Sequence, residues 1–343
     1  MFSRESRADT INGILFVMLF ALAAQQISQL PWVLHLGISP LIVGILLGIF
    51  YANTLHHRLP CAWLPGISFT ARQILRLAIV LYGFHITVQE IATIGWDGFA
   101  AALVMITSTL GLSYWLGVHW LGLDRETAIL TGAGSAICGA AAVMAFEPVV
   151  RARGHQTTSA VATVVLFGTT AMFLYPFLYH LGIVDLSNEG WGVYIGTTVH
   201  EVAQVVGAGS DIGQRVTEEA VIVKMTRVIL IVPALLIVGW WWSRCGVSTD
   251  VQREMPLPVP WFALGFIGMV LINSLDLLPQ GWVQSLCNFD QLLLTMAMTA
   301  LGMETSLDKL KGVGSRPFIL AAILFVWLLL GGYATVQLLL QGS

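Results

Sequence analysis

The stretch Asp124–Val150, DRETAILTGAGSAICGAAAVMAFEPVV, decides how this chain is read. Its 27 residues exceed the roughly 20 that a helix needs to cross a bilayer. Its middle works against a plain helix. Gly132, Gly134 and Gly139 fall within eight positions, with Ser135 and Cys138 between them. Each interior glycine costs a helix about 1 kcal/mol relative to alanine. At membrane depth an unwound backbone persists only where protein or a watery cavity satisfies it. The stretch is therefore either a closely packed helix or a broken one that builds a site. A break would direct free N–H groups and a positive helix end into its gap, which suits a small anion, with the Ser135 hydroxyl as a further donor. The packing reading rests on small residues four apart, which let helices touch. On the same ground Cys138 reads as a small packing residue.

The rest of the chain makes this a membrane question. Of 343 residues, 57% are hydrophobic and 10% charged, and the mean hydropathy is +0.81. Soluble domains carry roughly 25% charged residues. The fold class expected is an all-α integral membrane protein. A net charge of −3 gives no basic field for nucleic acid. The cysteines Cys61, Cys138, Cys245 and Cys287 are dispersed, so neither a disulfide framework nor a metal site is indicated, and no cofactor is expected. The N-terminus has the charge order of a signal peptide, but Gln25 and Gln26 and the lack of a small-x-small site favour a retained span.

Apolar windows predict about eleven spans: 11–28, 39–54, 70–94, 98–121, 126–149, 157–181, 191–208, 217–242, 260–279, 284–306 and 316–341. The longest loop, near 243–259, contains Pro256 and Pro258. Nine basic loop residues (Arg4, Arg7, Arg58, Arg125, Arg244, Arg253, Lys309, Lys311 and Arg316) fall on the N-terminal side and three (Arg151, Arg153 and Arg215) on the other. This predicts a cytoplasmic N-terminus and, with an odd number of spans, a periplasmic C-terminus. Aligning Arg76 with Arg227 sets RLAIVLYG (76–83) against RVILIVPA (227–234), and nearly the same offset sets Gly44 against Gly196. The expected organisation is one transporter domain: an extra N-terminal helix (1–30), repeat 1 (39–181) and an inverted repeat 2 (191–341). The stretch 124–150 then corresponds to 284–310, where LTMAMTALGMETS (294–306) is again small and polar. Interrupted segments at matching places in two halves point to a transporter site.

The second unusual segment is WGVYIGTTVHEVAQVVGA (191–208). His200 and Gln204 share a helix face, and Glu201 lies beside them. Ionisable groups at membrane depth are functional suspects. The zincin pattern HExxH is not met, because its last position is Gln204. His200 and Glu201 read either as a proton relay or substrate ligands, or as a structural hydrogen-bonded pair. Arg76, Arg227 and Lys224 lie inside predicted spans and Arg72 near an end. They read as anion-attracting charges or as snorkelling side chains, with Glu90, Glu147, Glu201, Asp290 and Glu304 as candidate partners. Asn273 reads as glue between helices. His85 ranks below His200 because nothing acidic adjoins it in sequence.

Several blocks resemble the YeiH-like sulfate exporter family of bacteria, which is grouped with bile acid/arsenite/riboflavin-type transporters. They are LRLAIVLYGF (75–84), TGAGSAICGAAAV (131–143), AVATVVLFGTTAMFLYP (160–176), GTTVHEVAQVVGAG (196–209) and AMTALGMET (297–305). The resemblance implies a bacterial inner-membrane protein with inverted five-helix repeats, a core domain moving against a panel domain, and two broken helices crossing at the substrate. Carried onto this sequence, the breaks fall near Gly132–Gly139 and near Thr299–Glu304, although the second has only Gly302. The expected substrate site is then Gly132, Gly134, Ser135, Cys138, Gly139, His200, Glu201, Gln204, Thr299 and Gly302, with Arg76, Arg227, Lys224 and Glu304 as charge or coupling residues. The expected function is secondary transport of sulfate or an organic sulfonate. Its partners would be the small anion, a proton or sodium ion, the lipid bilayer and a second copy of the chain. Two other classes stay open. An intramembrane enzyme would use Ser135, His200 and Glu201, although no GxSxG elbow is present. A channel or sensor is the other, although no span is followed by an output domain. No P-loop supports ATP hydrolysis.

Overall fold

The computed structural model describes residues 4–31, 33, 39–54, 61–244, 261–305 and 314–340. The proline-containing loop after Arg244 lies outside the described residues, as do Arg58, Arg253, Lys309 and Lys311, on which part of the orientation argument rests. The described residues form helices and no strand. In chain order these are α1 (Arg4–Ser28), α2 (Pro40–Thr54), α3 (Leu64–His85), α4 (Val88–Trp115), α5 (Arg125–Ala133), α6 (Ala140–Val150), α7 (Gly154–His180), α8 (Asn188–Thr198), α9 (Val202–Ile212), α10 (Gln214–Ile229), α11 (Ile231–Arg244), α12 (Trp261–Ser274), α13 (Gln280–Glu304) and α14 (Ser315–Leu340). Among the described residues six spans are long and apolar enough to cross a membrane: Ala8–Ser28, Leu64–His85, Gly95–Trp120, Gly154–His180, Gln214–Arg244 and Ser315–Leu339. The shorter apolar helices α2, α6 and α12 add to them. This is a multi-pass helical membrane protein, as the composition requires.

Local sequence explains the irregular points. Thr87 and Glu90 start α4 with a reciprocal capping box: the Thr87 N–H donates to Glu90 Oε2 (2.7 Å) and the Glu90 N–H to Thr87 Oγ1 (3.3 Å). Gly95 kinks α4 with φ 54°. Pro233 withholds the N–H that the Ile229 carbonyl would accept, and α10 gives way to α11 at Leu230.

The chain divides into two compact units, each drawing on both halves of the sequence. The first comprises Met1–Thr93, Ser210–Gly213 and Phe262–Lys309. Its centre is the long contact of α2 with α13. Small residues allow it: a Cβ added to Gly44 would lie 2.6 Å from Thr299 Oγ1, and one added to Gly302 would lie 3.0 Å from the Gly48 Cα. Gly13 of α1 and Gly66 of α3 meet in the same way, beside the ring cluster Phe16, Phe20, Tyr51 and Trp63. The second unit comprises Ile94–Gly209, Gln214–Trp261 and Leu310–Ser343. In it α7 packs on α5 and α6, α8 packs along α10, and α14 lies against α7 and α8.

The structure corrects one expectation about the first unit. The segment near Thr299–Glu304 is not a break, because α13 runs as continuous helix from Gln280 to Glu304. Its threonines return their hydroxyls to carbonyls one turn back, Thr299 to Thr295 (2.8 Å) and Thr295 to Gln291 (2.8 Å). Polar side chains here need no unwound backbone. Thr299 and Gly302 serve close packing against α2.

A bulky residue in this contact forces the two backbones apart. Gly48→Leu is expected to cost about 1–3 kcal/mol through overpacking, lowering the melting temperature of the purified protein. Gly111→Ala, where an added Cβ meets nothing within 4 Å, is expected to leave it unchanged or slightly raised. Equal melting of wild type and Gly48→Leu would refute the assigned contact.

Candidate functional site

The second unit holds two helix interruptions side by side. The first lies in the glycine-rich stretch. α5 ends at Ala133, Gly134–Cys138 form a π-helical turn, and Gly139 takes φ 67° and ψ −137° before α6 begins at Ala140. That backbone conformation belongs to glycine. The three glycines divide between the two readings weighed from sequence. Gly132 and Gly134 remain helical and pack closely, with an added Cβ lying 2.6 Å from Ser113 Cβ and 2.5 Å from Val164 Cγ2, respectively. Gly139 alone makes the break.

The second interruption separates α8 from α9. Val199 is extended (ψ 144°), and His200 and Glu201 stand between the two helices. The restart is a half capping box: the Glu201 N–H donates to the Gln204 side-chain oxygen (3.1 Å) and the Val205 N–H to the Glu201 carbonyl (3.0 Å). The spacing Glu201-x-x-Gln204 is the signal of this break in the sequence. On the preceding turn the Tyr175 hydroxyl donates to Thr198 Oγ1 (2.5 Å), and Thr197 bonds back to the Val193 carbonyl.

Both interruptions free carbonyls, and α10 supplies the donors. Lys224 Nζ donates to the Ile137 carbonyl (2.7 Å) in the first break and to the Val199 carbonyl (2.7 Å) in the second. Arg227 Nε donates to the Ala136 carbonyl (3.0 Å) and Nη1 to the Gly196 carbonyl (3.1 Å). Its Nη2 bonds the Ser135 carbonyl (3.2 Å) and makes a very short contact with that of Ala136. Both cations are fully buried, which excludes snorkelling. Each meets the negative, C-terminal end of an interrupted helix. The positive end of α6 is met by a carboxylate of the chain itself, because the Ala140 N–H donates to Glu201 Oε1 (3.1 Å). A Cβ at Gly139 would lie 2.7 Å from that same oxygen. The position expected for an anion is thus held by Glu201. By formal charge Lys224, Arg227 and Glu201 sum to +1.

Two polar atoms at the second break lack hydrogen-bond partners among the described residues. His200 Nδ1 belongs to a ring that is 1% exposed, beside Phe325 of α14. Gln204 Nε2 belongs to a fully buried side chain packed against Gly168 of α7.

Of the residues singled out from sequence, Gly132, Gly134, Ser135, Cys138, Gly139, His200, Glu201, Gln204, Lys224 and Arg227 all belong to these two breaks and their capping residues. Four do not join them. Thr299, Gly302 and Glu304 lie on the intact α13, and Arg76 is exposed on α3; all four are in the first unit. Arg76 was aligned with Arg227, but the intact α13 leaves no freed carbonyls for it to cap. His85, ranked low for want of an acid, has Asp290 within 3.4 Å. Distance along the chain hid that partner. Asn273 is interhelical glue as expected, donating to the Ile86 carbonyl (3.0 Å).

Fold and site together define a multi-pass helical membrane protein with two adjacent interrupted helices stapled by buried cations. Comparison with known proteins agrees on the membrane class. The family model described as conserved hypothetical protein 698 matches residues 12–321, and the chain belongs to that family. A UPF0324 membrane protein of Bordetella pertussis is 50% identical over 331 residues, covering 96% of this chain and 95% of its own length. Another from Pseudomonas putida is 49% identical over 329 residues (96% and 93%), and one from Bacteroides thetaiotaomicron 45% over 331 (96% and 98%).

Removing the staple exposes the cost of the breaks. Lys224→Met takes the donor from the Ile137 carbonyl and leaves the Val199 carbonyl with only the long bond from Arg227 Nη1 (3.5 Å), and is expected to destabilise by about 1–3 kcal/mol. Gly139→Ala, strained at φ 67°, is expected to cost about 1–3 kcal/mol. Thermal unfolding of both variants in detergent checks this, and wild-type melting of Lys224→Met would contradict the capping role.

Proposed function

We propose that this protein is a secondary transporter of a small anion, with sulfate or an organic sulfonate as the substrate class. The observation that carries the reading is the placement of two buried basic side chains, Lys224 and Arg227, against a single carboxylate, Glu201, at two adjacent helix breaks. Interrupted helices in membrane transporters place helix ends and freed main-chain groups at the substrate. An excess cation in a low-dielectric interior favours an anion by several-fold more than the same charge in water. Sulfate is the choice among anions because of the resemblance to YeiH-like exporters.

In the proposed cycle the anion competes with the Glu201 carboxylate for the N-terminus of α6. Lys224 and Arg227 stay on their carbonyls and supply the field. His200 Nδ1 and Gln204 Nε2, which lack partners, turn to the anion. A proton or sodium gradient drives the step. The protein is read as a carrier and not an enzyme: among the described residues His200 Nδ1 has no hydrogen-bond partner, so that nitrogen makes no bond to the Ser135 hydroxyl of the kind a nucleophile and its base share. The expected setting is a bacterial inner membrane with the N-terminus cytoplasmic and the C-terminus periplasmic. Two inverted repeats and a homodimer are part of the same proposal.

Radiolabelled sulfate uptake into proteoliposomes tests it, together with thermal-shift screening against sulfate, thiosulfate, sulfite, taurine and phosphate. Glu201→Gln removes the competing charge and is expected to tighten sulfate binding by about tenfold, within the ~2 kcal/mol that a charge at a partly buried helix end can contribute. Absence of both stabilisation and flux for every sulfur oxyanion and sulfonate tried would end the reading.

A further inference from the structure

In the first unit, away from the helix breaks, a carboxylate is buried without a hydrogen bond. Asp290 lies in the middle of α13 and is 0% exposed. Neither of its oxygens has a hydrogen-bond partner among the described residues. What faces it is the His85 ring, whose Nε2 stands 3.4 Å from Asp290 Oδ2. His85 closes α3 in a 3₁₀ turn, Gly83–His85. The turn is held from three sides. Tyr82 stacks on the imidazole with ring centres 4.6 Å apart. Asn273 of α12 bonds the Ile86 carbonyl, and Ser274 Oγ accepts the Val88 N–H (2.8 Å). The absence of a side chain at Gly83 lets it sit against the α12 backbone, where an added Cβ would lie 3.1 Å from the Val270 nitrogen.

We propose that His85 and Asp290 form a proton-binding site and that, in the transporter proposed above, this pair takes up the coupling proton. The second half of that statement rests on the transport reading; the first does not. An ionised carboxylate in an apolar interior is tolerated when paired or hydrogen-bonded, and otherwise takes a proton. Among the described residues the side chain that faces it is an imidazole, which can carry the proton in its place. The two therefore titrate as a pair. The His85 side chain is 18% exposed while that of Asp290 is closed off, so the imidazole is the side from which a proton can reach the carboxylate.

The surroundings leave the pair to itself. On α13 the titratable neighbour within reach is Cys287, one turn away. α2 carries no acid or base, and its Tyr51 faces Phe16 and Phe20. α12 carries none. On α3, Arg72 and Arg76 are exposed and lie two or more turns from His85. Asp9 of α1 is near the opposite end of its span. Glu90 is committed to the Thr87 cap, bonding both its N–H and its hydroxyl. A metal ion is the poorer occupant: among the described residues no cluster of three His, Cys, Asp or Glu is present, whereas hard cations take about six or more oxygen ligands.

Infrared titration of the full-length purified protein tests the site without any substrate. A protonated-carboxyl band is expected to appear on acidification in wild type and to be absent from Asp290→Asn. In His85→Gln its midpoint is expected to move by about one pH unit or more, the size of effect one close charge partner has. A band that survives in Asp290→Asn, or titrates identically in His85→Gln, overturns the site. A midpoint that moves when sodium replaces potassium overturns the proton as its occupant. The coupling half is read in proteoliposomes with labelled sulfate. Asp290→Asn is expected to keep counterflow at equal pH within about twofold of wild type and to lose accumulation driven by a pH gradient. Gradient-driven accumulation unchanged in Asp290→Asn overturns coupling. If wild type moves no sulfate, the transport reading and its coupling half fall together, and the infrared titration alone decides the proton site.

Discussion

Main-chain carbonyls that leave a helix inside a membrane need donors, and the donors must come from the protein. That requirement organises the second unit. Two helices are interrupted next to one another, and α10 runs beside both. Lys224 takes one carbonyl from each break, and Arg227 takes carbonyls on both sides. The charges are therefore not free in the way a binding pocket's charges are. Their hydrogen bonds are spent on the backbone, and only their field is left over. A buried cation on a helix C-terminus also offsets part of its own desolvation, since it meets the negative end of a dipole. Breaks and cations stabilise each other, and neither makes sense alone.

Much of this was legible in the sequence, and its limits have physical causes. The membrane class follows from composition, and the span windows from hydropathy, because a bilayer imposes a length on apolar runs. Gly139 was marked by its neighbours, since three glycines in so short a stretch demand a backbone reason. The Gly132–Gly139 and His200–Gln204 segments were each noticed, and they prove to be partners. The error lay in choosing the partner by alignment. Residues 295–305 look as small and polar as 132–142, yet threonine hydroxyls satisfy themselves within an intact helix, and a single glycine does not open one. Glu201-x-x-Gln204 is a helix start, a role outside both sequence readings of His200 and Glu201, as relay or ligands and as a hydrogen-bonded pair. Arg76 and Arg227 differ in burial because only one of them has carbonyls to serve.

The first unit obeys a different rule. Its helices stay whole, and close approach is obtained by small residues, at Gly44 and Gly48 against Thr299 and Gly302 and at Gly13 against Gly66. Such an interface transmits shape and little charge. The His85–Asp290 pair brings two titratable side chains together in this unit from positions 205 residues apart in sequence. No window or spacing can show a pair of that kind, because the topology alone brings it together.

The Glu201 carboxylate at the start of α6 has a further consequence. A carrier must return empty as well as travel loaded. Cargo that neutralises a buried charge leaves that charge bare on departure, and moving it through an apolar region is then slow. In the proposed carrier, a tethered carboxylate ready to occupy the vacated helix end would match the charge of a monoanionic sulfonate at that point and half that of sulfate. Glu201 would act as a stand-in passenger, so that the helix end is not left bare on the return leg of the cycle.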